Sequence, residues 1–137
     1  MNIQGKMVFD KETGLYAVAL PLLGLWTQGA DLEESFQMAD DGLKMLYPDL
    51  SFDLHWTDKE RGLFNVRSED KKVIAIVLKE ARLAAEMSLM EAAKQLGYKN
   101  QNSIYAYETG AREPSVSKFQ KMLHVYGVSI DMHCEAA

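Results

Sequence analysis

The stretch that decides the fold is KEARLAAEMSLMEAAKQLGYKNQNSIYAYETGAREPS, residues 79 to 115. Ser88 is followed three residues later by Glu91, the spacing at which a hydroxyl and a carboxylate each satisfy a backbone N–H at a helix start. Gly97 and Gly110 follow apolar runs, where a glycine commonly ends a helix. The stretch therefore predicts one short helix over residues 89–96 and a second that leads from a polar start to Gly110.

Two further helices are predicted on either side. Ser68 and the acids after it suit the start of a helix from about Asp70 to Met87. A last helix begins at Pro114 and Ser115 and ends at Gly127. The apolar residues at helical spacing are Val73, Val77, Ala81 and Ala84 in the first and Phe119, Met122, Leu123 and Tyr126 in the last. Helices this short need one another's apolar faces, which predicts an all-α domain over residues 68–137.

The quoted stretch resembles the Xre and Cro-repressor family of helix-turn-helix proteins. The resemblance spans roughly Leu78 to Asp131 and is carried by LG followed by YETGAREPS. Two departures stand out: Leu89 occupies a position where the family carries a phosphate-contacting Gln, and the segment from Gly97 to Glu108 is one residue longer than the family pattern. The resemblance implies a recognition helix in the major groove of operator DNA and binding as a homodimer or a higher even oligomer.

The amide-rich start of that helix is the predicted base-reading surface, because Asn and Gln amides pair with adenine edges. The predicted DNA-binding residues are Lys99, Asn100, Gln101, Asn102, Ser103, Tyr105, Arg112 and Ser117, with Lys94 as a weaker phosphate candidate. A solvated polar helix start is the alternative. The resemblance further implies a structural ion pair between Arg82 on the first helix and Glu108 at the end of the recognition helix.

The front of the chain alternates between strand and helix patterns. Ile3, Met7 and Phe9 alternate along a first strand. The elements predicted after it are strands over Leu15–Leu20 and Leu25–Gln28, a helix from Asp31 to Leu46 with Glu34 at capping-box spacing, a strand over Leu50–Trp56 and a strand over Gly62–Arg67. The order βββαββ predicts an α+β layer with the helix packed on one sheet face.

Residues 13 to 46, which include GLYAVALPLLGLWTQGADLEESFQMADDGL, resemble the amino-terminal domain of HicB-type antitoxins, which is similar to a partial ribonuclease H fold. The resemblance implies that residues 1–67 bind a HicA-like, mRNA-cleaving toxin. HicB-family antitoxins are known for joining such a domain to an Xre domain, so the two resemblances support each other. The acidic residues predicted to face the toxin are Glu33, Glu34, Asp40 and Asp41.

Charge divides the chain in the same way. The formal net charge is −5, but residues 1–70 hold six Lys and Arg against thirteen Asp and Glu, whereas residues 71–137 hold nine against seven. An acidic front half repels DNA and suits a basic protein, while a mildly basic back half tolerates phosphates. A single cysteine excludes an internal disulfide framework, and no long apolar run predicts a membrane span or leader, so we expect a cytoplasmic protein.

A metal-dependent nuclease would need several carboxylates converging on two metal ions. The candidates are Asp10, Glu12, Glu33, Glu34, Asp40, Asp41, Asp53 and Asp58, most of them in loops or on a helix's wet face, which favours a solvated acidic surface. His124, His133 and Cys134 lack metal-ligand spacing. We therefore expect no metal, no cofactor and no enzymatic activity. Val128, Ile130 and Met132 alternate, which fits a short strand, a partner contact or a frayed tail.

The sequence thus predicts a HicB-like antitoxin that neutralises a toxin through residues 1–67 and represses its own operon through residues 68–137. The alternative is a stand-alone Xre-family regulator whose front half senses a ligand or mediates oligomerisation. A nuclease with a DNA-targeting domain is the third hypothesis.

Overall fold

The computed structural model describes residues 1–129. The chain folds into two compact units, one formed by residues 1–69 and a second that starts at Asp70. A five-stranded antiparallel sheet with one helix in the first unit precedes a helical second unit, which gives an α+β layout followed by an all-α one. The predicted similarity of the first unit to a partial ribonuclease H fold stays a prediction. No helix among these residues is both long and apolar enough to cross a membrane.

The first unit is built on a sheet in the order β3-β2-β1-β5-β4. Its strands are β1 (Asn2–Asp10), β2 (Leu15–Leu20), β3 (Leu25–Gly29), β4 (Asp53–Asp58) and β5 (Leu63–Arg67), with a 3-10 turn over Pro21–Leu23. The strands β1, β2 and β3 form an antiparallel meander, and the long central β1 also pairs with β5. Because β1 pairs with β5, the β1–β3 meander and the β4–β5 hairpin form one continuous sheet over one hydrophobic core.

Gly62, in the turn between β4 and β5, makes a close backbone contact with β1. Its carbonyl accepts a hydrogen bond from the Met7 N–H at 2.8 Å, and its φ is +71°. A Cβ on Gly62 would lie 2.4 Å from the Met7 carbonyl oxygen. The close approach and the left-handed backbone both require glycine at this position.

One face of the sheet is covered by α1 (Leu32–Leu46). Asp31 caps this helix by accepting a hydrogen bond from the Glu34 N–H at 2.7 Å, whereas the Glu34 carboxylate accepts from Ala30 rather than from Asp31, one residue outside a strict capping box. Phe36 stacks on Trp56 with 4.9 Å between ring centroids. The fully buried side chains include Val18, Leu20, Leu23, Leu43, Phe64 and Val66.

Three details of this unit differ from the sequence prediction. Phe9 is 51% exposed although it alternates with the buried Ile3 and Met7, because it lies near the end of β1, where its ring contacts Tyr16. Leu46 is 50% exposed as the last residue of α1. The fourth strand begins at Asp53 rather than at Leu50.

The second unit consists of four helices: α2 (Lys72–Ala84), α3 (Leu89–Leu96), α4 (Asn102–Thr109) and α5 (Val116–Val125). The predicted bounds of α2 were too wide. Asp70 lies before the helix, where its carboxylate accepts the Lys72 N–H at 2.9 Å, and Glu86 ends the segment in a left-handed conformation with φ 56°. Ala84, predicted on the buried face, is exposed at the last helical turn.

The core of the second unit is drawn from all four helices. Small residues allow α3 to approach closely, since Ala92 and Ala93 are both fully buried. The other core side chains are Val73, Ala75, Val77, Leu78, Ala81, Ile104, Tyr107, Phe119, Met122, Leu123 and Tyr126. These contacts hold α3 and α4 as a helix pair joined by a short turn.

Candidate nucleic-acid interface

Local hydrogen bonds fix both ends of α3, including the end that leads into the turn before α4. The Ser88 hydroxyl accepts the Glu91 N–H at 3.1 Å, and the Glu91 carboxylate accepts the Ser88 N–H at 3.3 Å, which completes the predicted capping box. Gly97 ends α3 with φ 80°, and the Tyr98 N–H donates to the Ala93 carbonyl at 2.8 Å. This arrangement of bonds around a left-handed glycine is the Schellman type of helix end.

The start of α4 presents polar side chains to solvent. The Asn100 side-chain oxygen accepts the Asn102 N–H at 2.9 Å, so part of this amide is used to start the helix. Gln101 occupies the N-cap without a side-chain capping bond, and both Gln101 and Asn102 are exposed. Tyr105, one turn further, is 59% exposed. These three side chains form an outward amide and phenol surface on the first turns of the helix.

The opposite side of α4 is packed into the protein. Ile104 is 0% exposed and Tyr107 is 3% exposed. Ser103 is half-buried, whereas Asn100, Gln101, Asn102 and Tyr105 are exposed. A two-turn helix with one buried and one exposed side can present its outer residues to a groove without losing its anchorage.

Arg82 of α2 and Glu108 of α4 form the ion pair implied by the family resemblance. The Arg82 Nε donates to Glu108 at 2.7 Å and Nη2 donates to the second carboxylate oxygen at 2.9 Å, while Nη1 donates to the Met87 carbonyl at 2.8 Å. The side chains are only 10% and 5% exposed. The hydrogen bonding that Arg82 donates to Glu108 raises the pKa of Arg82 above its ordinary value. This bidentate pair fixes α4 against α2 and the α2–α3 connection.

Tyr126 lies beside this ion pair at the end of α5. Burial, with a smaller contribution from the negative charge of Glu108, raises the pKa of Tyr126 to about 12. Among residues 1–129, its hydroxyl has no hydrogen-bond partner. Tyr126 therefore remains protonated well above neutral pH.

A second polar cluster anchors the loop that follows α4. Lys118 Nζ lies 3.5 Å from the Tyr107 hydroxyl, and burial together with a hydrogen bond to Tyr107 raises the pKa of Tyr98. The Arg112 guanidinium lies 5.8 Å from the centroid of the Tyr107 ring, and its backbone N–H donates to the Ala106 carbonyl at 3.1 Å. Arg112 is thereby held close to the carboxyl end of α4 while remaining exposed.

The structure thus brings some of the predicted residues together. Residues 99–105 form one continuous stretch at the start of α4, and Arg112 lies next to the end of that helix. Lys94 is exposed on α3 and Ser117 is exposed in the first turn of α5. Lys71 and Lys72, which were not among the predicted site residues, share a concavity with Arg112. Their only sequence signal was a pair of lysines at a helix start, distant from Arg112 along the chain.

Comparison with known families identifies the second unit. Residues 78–132 match the family model described as helix-turn-helix. This match supports the predicted Xre-type helix-turn-helix domain in the second part of the chain. The matched segment contains the whole of α3, α4 and α5. Comparisons with curated proteins and with solved structures returned no match. The resemblance of the first unit to HicB stays a prediction.

The four acidic residues predicted to face a toxin all lie on α1 and have local partners. Glu33 pairs with Lys59, and Glu34 accepts the Ala30 N–H. Asp40 pairs with Lys44 at 2.9 Å and is only 26% exposed, while the exposed Asp41 accepts a hydrogen bond from Gln37 at 2.9 Å. The pair with Asp40 raises the pKa of Lys44. Asp40 is therefore less exposed to solvent than predicted.

The carboxylates considered for a nuclease do not form a metal cluster within residues 1–129. No group of three or more His, Cys, Asp or Glu that could hold a metal ion occurs in this part of the chain. His124 is exposed on α5, away from the buried side chains of that helix. The positions of Ile130, Met132, His133 and Cys134 lie outside the described residues.

Proposed function

We propose that this chain is a sequence-specific transcription regulator that inserts α4 into the major groove of operator DNA. The supporting observation is the helix-turn-helix match combined with an exposed, amide-rich start of α4 on a helix whose other side is buried. Gln101 and Asn102 read base edges, since an amide offers a donor and an acceptor to adenine. Arg112 contacts the phosphate backbone and sets the position of α4 along the duplex.

A dimer is part of this proposal. One two-turn helix reaches only a few base pairs, which select no unique site in a genome, so two copies bind two half-sites about one helical turn apart. The operator is then expected to be an inverted repeat.

The test compares Asn102→Ala with Arg112→Ala on two DNAs. The operator is first selected from a pool of random duplexes by the wild-type chain. Asn102→Ala should lose about 1 to 3 kcal/mol of discrimination between operator and random duplex, whereas Arg112→Ala should weaken binding to both DNAs about equally. Gln120→Ala, on the exposed side of α5, is the matched control. Equal losses on both DNAs for Asn102→Ala would contradict base reading by that residue.

A second function is proposed for the first unit, motivated by its charge. We infer that residues 1–67 act as the toxin-binding half of an antitoxin, whose partner is a basic ribonuclease of the HicA type. A protein that holds RNA phosphates presents cationic surface, and an acidic sheet-and-helix unit can steer toward it and cover it. The same chain then represses its operon through residues 68–137, which matches the predicted antitoxin function.

Co-expression with the product of the neighbouring gene tests this second function. Replacing both Asp40 and Asp41 by Lys should slow association with the toxin and reduce growth rescue, while DNA binding stays nearly unchanged. Because Asp40 also pairs with Lys44, Asp41→Lys alone is the cleaner variant, and Asp49→Lys in the following loop is a charge-matched control. Full rescue by a fragment lacking residues 1–67 would contradict the assignment. It would favour the alternative, a stand-alone regulator whose first unit senses a ligand or mediates oligomerisation.

A further inference from the structure

A partly open concavity of about 240 Å³ lies between the start of α2 and the loop that follows α4. Its floor includes Tyr107 and Pro114, and the charged residues that line it are Lys71, Lys72, Arg112 and Glu113. Three cations and one carboxylate from distant parts of the sequence thus converge on one side of the second unit. Such convergence of positive charge favours an anionic ligand.

The cations are available to a ligand. Lys71 Nζ lies 3.6 Å from the Glu113 carboxylate, and the two side chains are 80% and 48% exposed. An exposed pair at this distance is weak, because water and salt screen it, so an incoming anion can compete with Glu113. The loop itself is held in place by the bond from the Arg112 N–H to the Ala106 carbonyl. The cationic side chains therefore project from fixed backbone.

Size and position decide the class of anion. Pockets that enclose a small-molecule ligand measure about 300 to 1,000 Å³, so this concavity is small for a whole nucleotide, while a single phosphate group needs much less room. It adjoins the carboxyl end of the recognition helix, because Tyr107 and Gly110 belong to its lining. A phosphate next to a groove-bound helix belongs to the DNA backbone.

We propose that Lys71, Lys72 and Arg112 form a binding site for a DNA backbone phosphate flanking the bases that α4 reads. The inference rests on the proposed DNA-binding function and adds α2 to the interface. Lys71 and Lys72 precede the segment that matches the helix-turn-helix family, which begins at residue 78. Glu113 weakens the site by its opposite charge and sets its affinity.

The test measures the affinity of the full-length chain for a random-sequence duplex as a function of salt. Each lost phosphate contact should lower the slope of log affinity against log salt by about 0.9, which corresponds to about eightfold weaker binding at about 0.1 M salt. The double variant Lys71→Gln, Lys72→Gln should therefore lower the slope by about 1 to 2. Glu113→Gln should tighten binding. Lys121→Gln, on the exposed side of α5, should change the slope less than the double variant.

Two outcomes would overturn the site. If the wild-type chain binds the duplex with a steep salt dependence and the double variant keeps that slope, this site is wrong while the DNA-binding function stands. If the wild-type chain binds no duplex, the site and the proposed function fail together. Circular dichroism of each variant verifies the fold. In NMR spectra, the amides of residues 71, 72 and 112 should shift with duplex; equal shifts with inorganic phosphate at the same phosphate concentration would assign the site to a free anion instead.

Discussion

Replacing Glu108 by Ala should strongly destabilise the second unit. The Arg82 side chain is 10% exposed in the intact pair, and the substitution removes two of the three hydrogen bonds of its guanidinium. An uncompensated buried charge of this kind costs about 3 to 5 kcal/mol. A unit of about sixty residues has a free energy of unfolding of only about 3 to 9 kcal/mol at typical values per residue. One truncated carboxylate therefore removes a large fraction of the total.

The same structure predicts strong coupling between the two positions. Arg82→Leu alone leaves the Glu108 carboxylate, which is 5% exposed in the intact pair, without its cation. Arg82→Leu together with Glu108→Leu leaves no unpaired buried charge. The double variant should lose much less stability than the sum of the losses of its two single variants, Arg82→Leu and Glu108→Leu. Coupling energies between residues in direct contact reach about 3 kcal/mol. Lys79→Ala, on the exposed side of α2, should change stability by no more than about 0.5 kcal/mol.

Urea unfolding followed by two signals separates this effect from general damage. Both tryptophans, Trp26 and Trp56, belong to the first unit, so their fluorescence reports that unit. Far-ultraviolet circular dichroism is dominated by the helices, four of which lie in the second unit. Glu108→Ala should lower the dichroism midpoint and leave the fluorescence midpoint close to that of the wild type. Additive losses in the double variant, or a loss below about 1 kcal/mol for Glu108→Ala, would refute the buried-pair argument.

Two further predictions concern single side chains. The pKa of Tyr126 is raised to about 12 in the folded state, against about 10 in the unfolded state, so the folded state favours the protonated phenol. The stability that this group contributes is therefore fully present below about pH 10. It should fall by about 1.4 kcal/mol by about pH 11. Tyr126→Phe should remove this part of the loss of stability at alkaline pH, with little change at neutral pH. Urea unfolding across that pH range measures the effect. Equal losses of stability in the wild type and in Tyr126→Phe would contradict the argument. Gly62→Ala should destabilise the first unit strongly, because its Cβ would lie 2.4 Å from the Met7 carbonyl oxygen, whereas Gly14→Ala, at a similar φ of +73° with nothing within 4 Å, should cost only about 1 kcal/mol. Equal shifts of the fluorescence midpoint would show that backbone conformation alone, rather than the close contact, matters.

Local signals in the sequence predicted the elements that local interactions determine. The bounds of α3 follow from Ser88, Glu91 and Gly97, since all three act within a few residues of themselves. The end of α2 has no glycine, and the structure places Glu86 at φ 56° while Arg82 bonds to the Met87 carbonyl. Arg82 is in turn held by Glu108 of α4, a long-range contact that no local pattern contains.

The sequence could not predict which residues distant along the chain come together at the candidate site. The family resemblance led to Arg82, Glu108 and the start of α4. Lys71 and Lys72 gained their proposed role only when folding placed them beside Arg112. In the first unit, the pairing of β1 with β5 is similarly a consequence of the whole chain, as is the exposure of Phe9 where β1 ends.

The residues that anchor α4 and the residues on its exposed side are different, which has a consequence for how the sequence evolves. Ile104, Tyr107 and Glu108 hold the helix in place, whereas Gln101 and Asn102 contribute no buried contact to the fold. Under the proposed DNA-binding function, substitutions at these outer positions would alter DNA preference at little cost in stability, so duplicated copies of the gene could acquire new target sites through few mutations. Changes in DNA preference would then be separated from selection on folding.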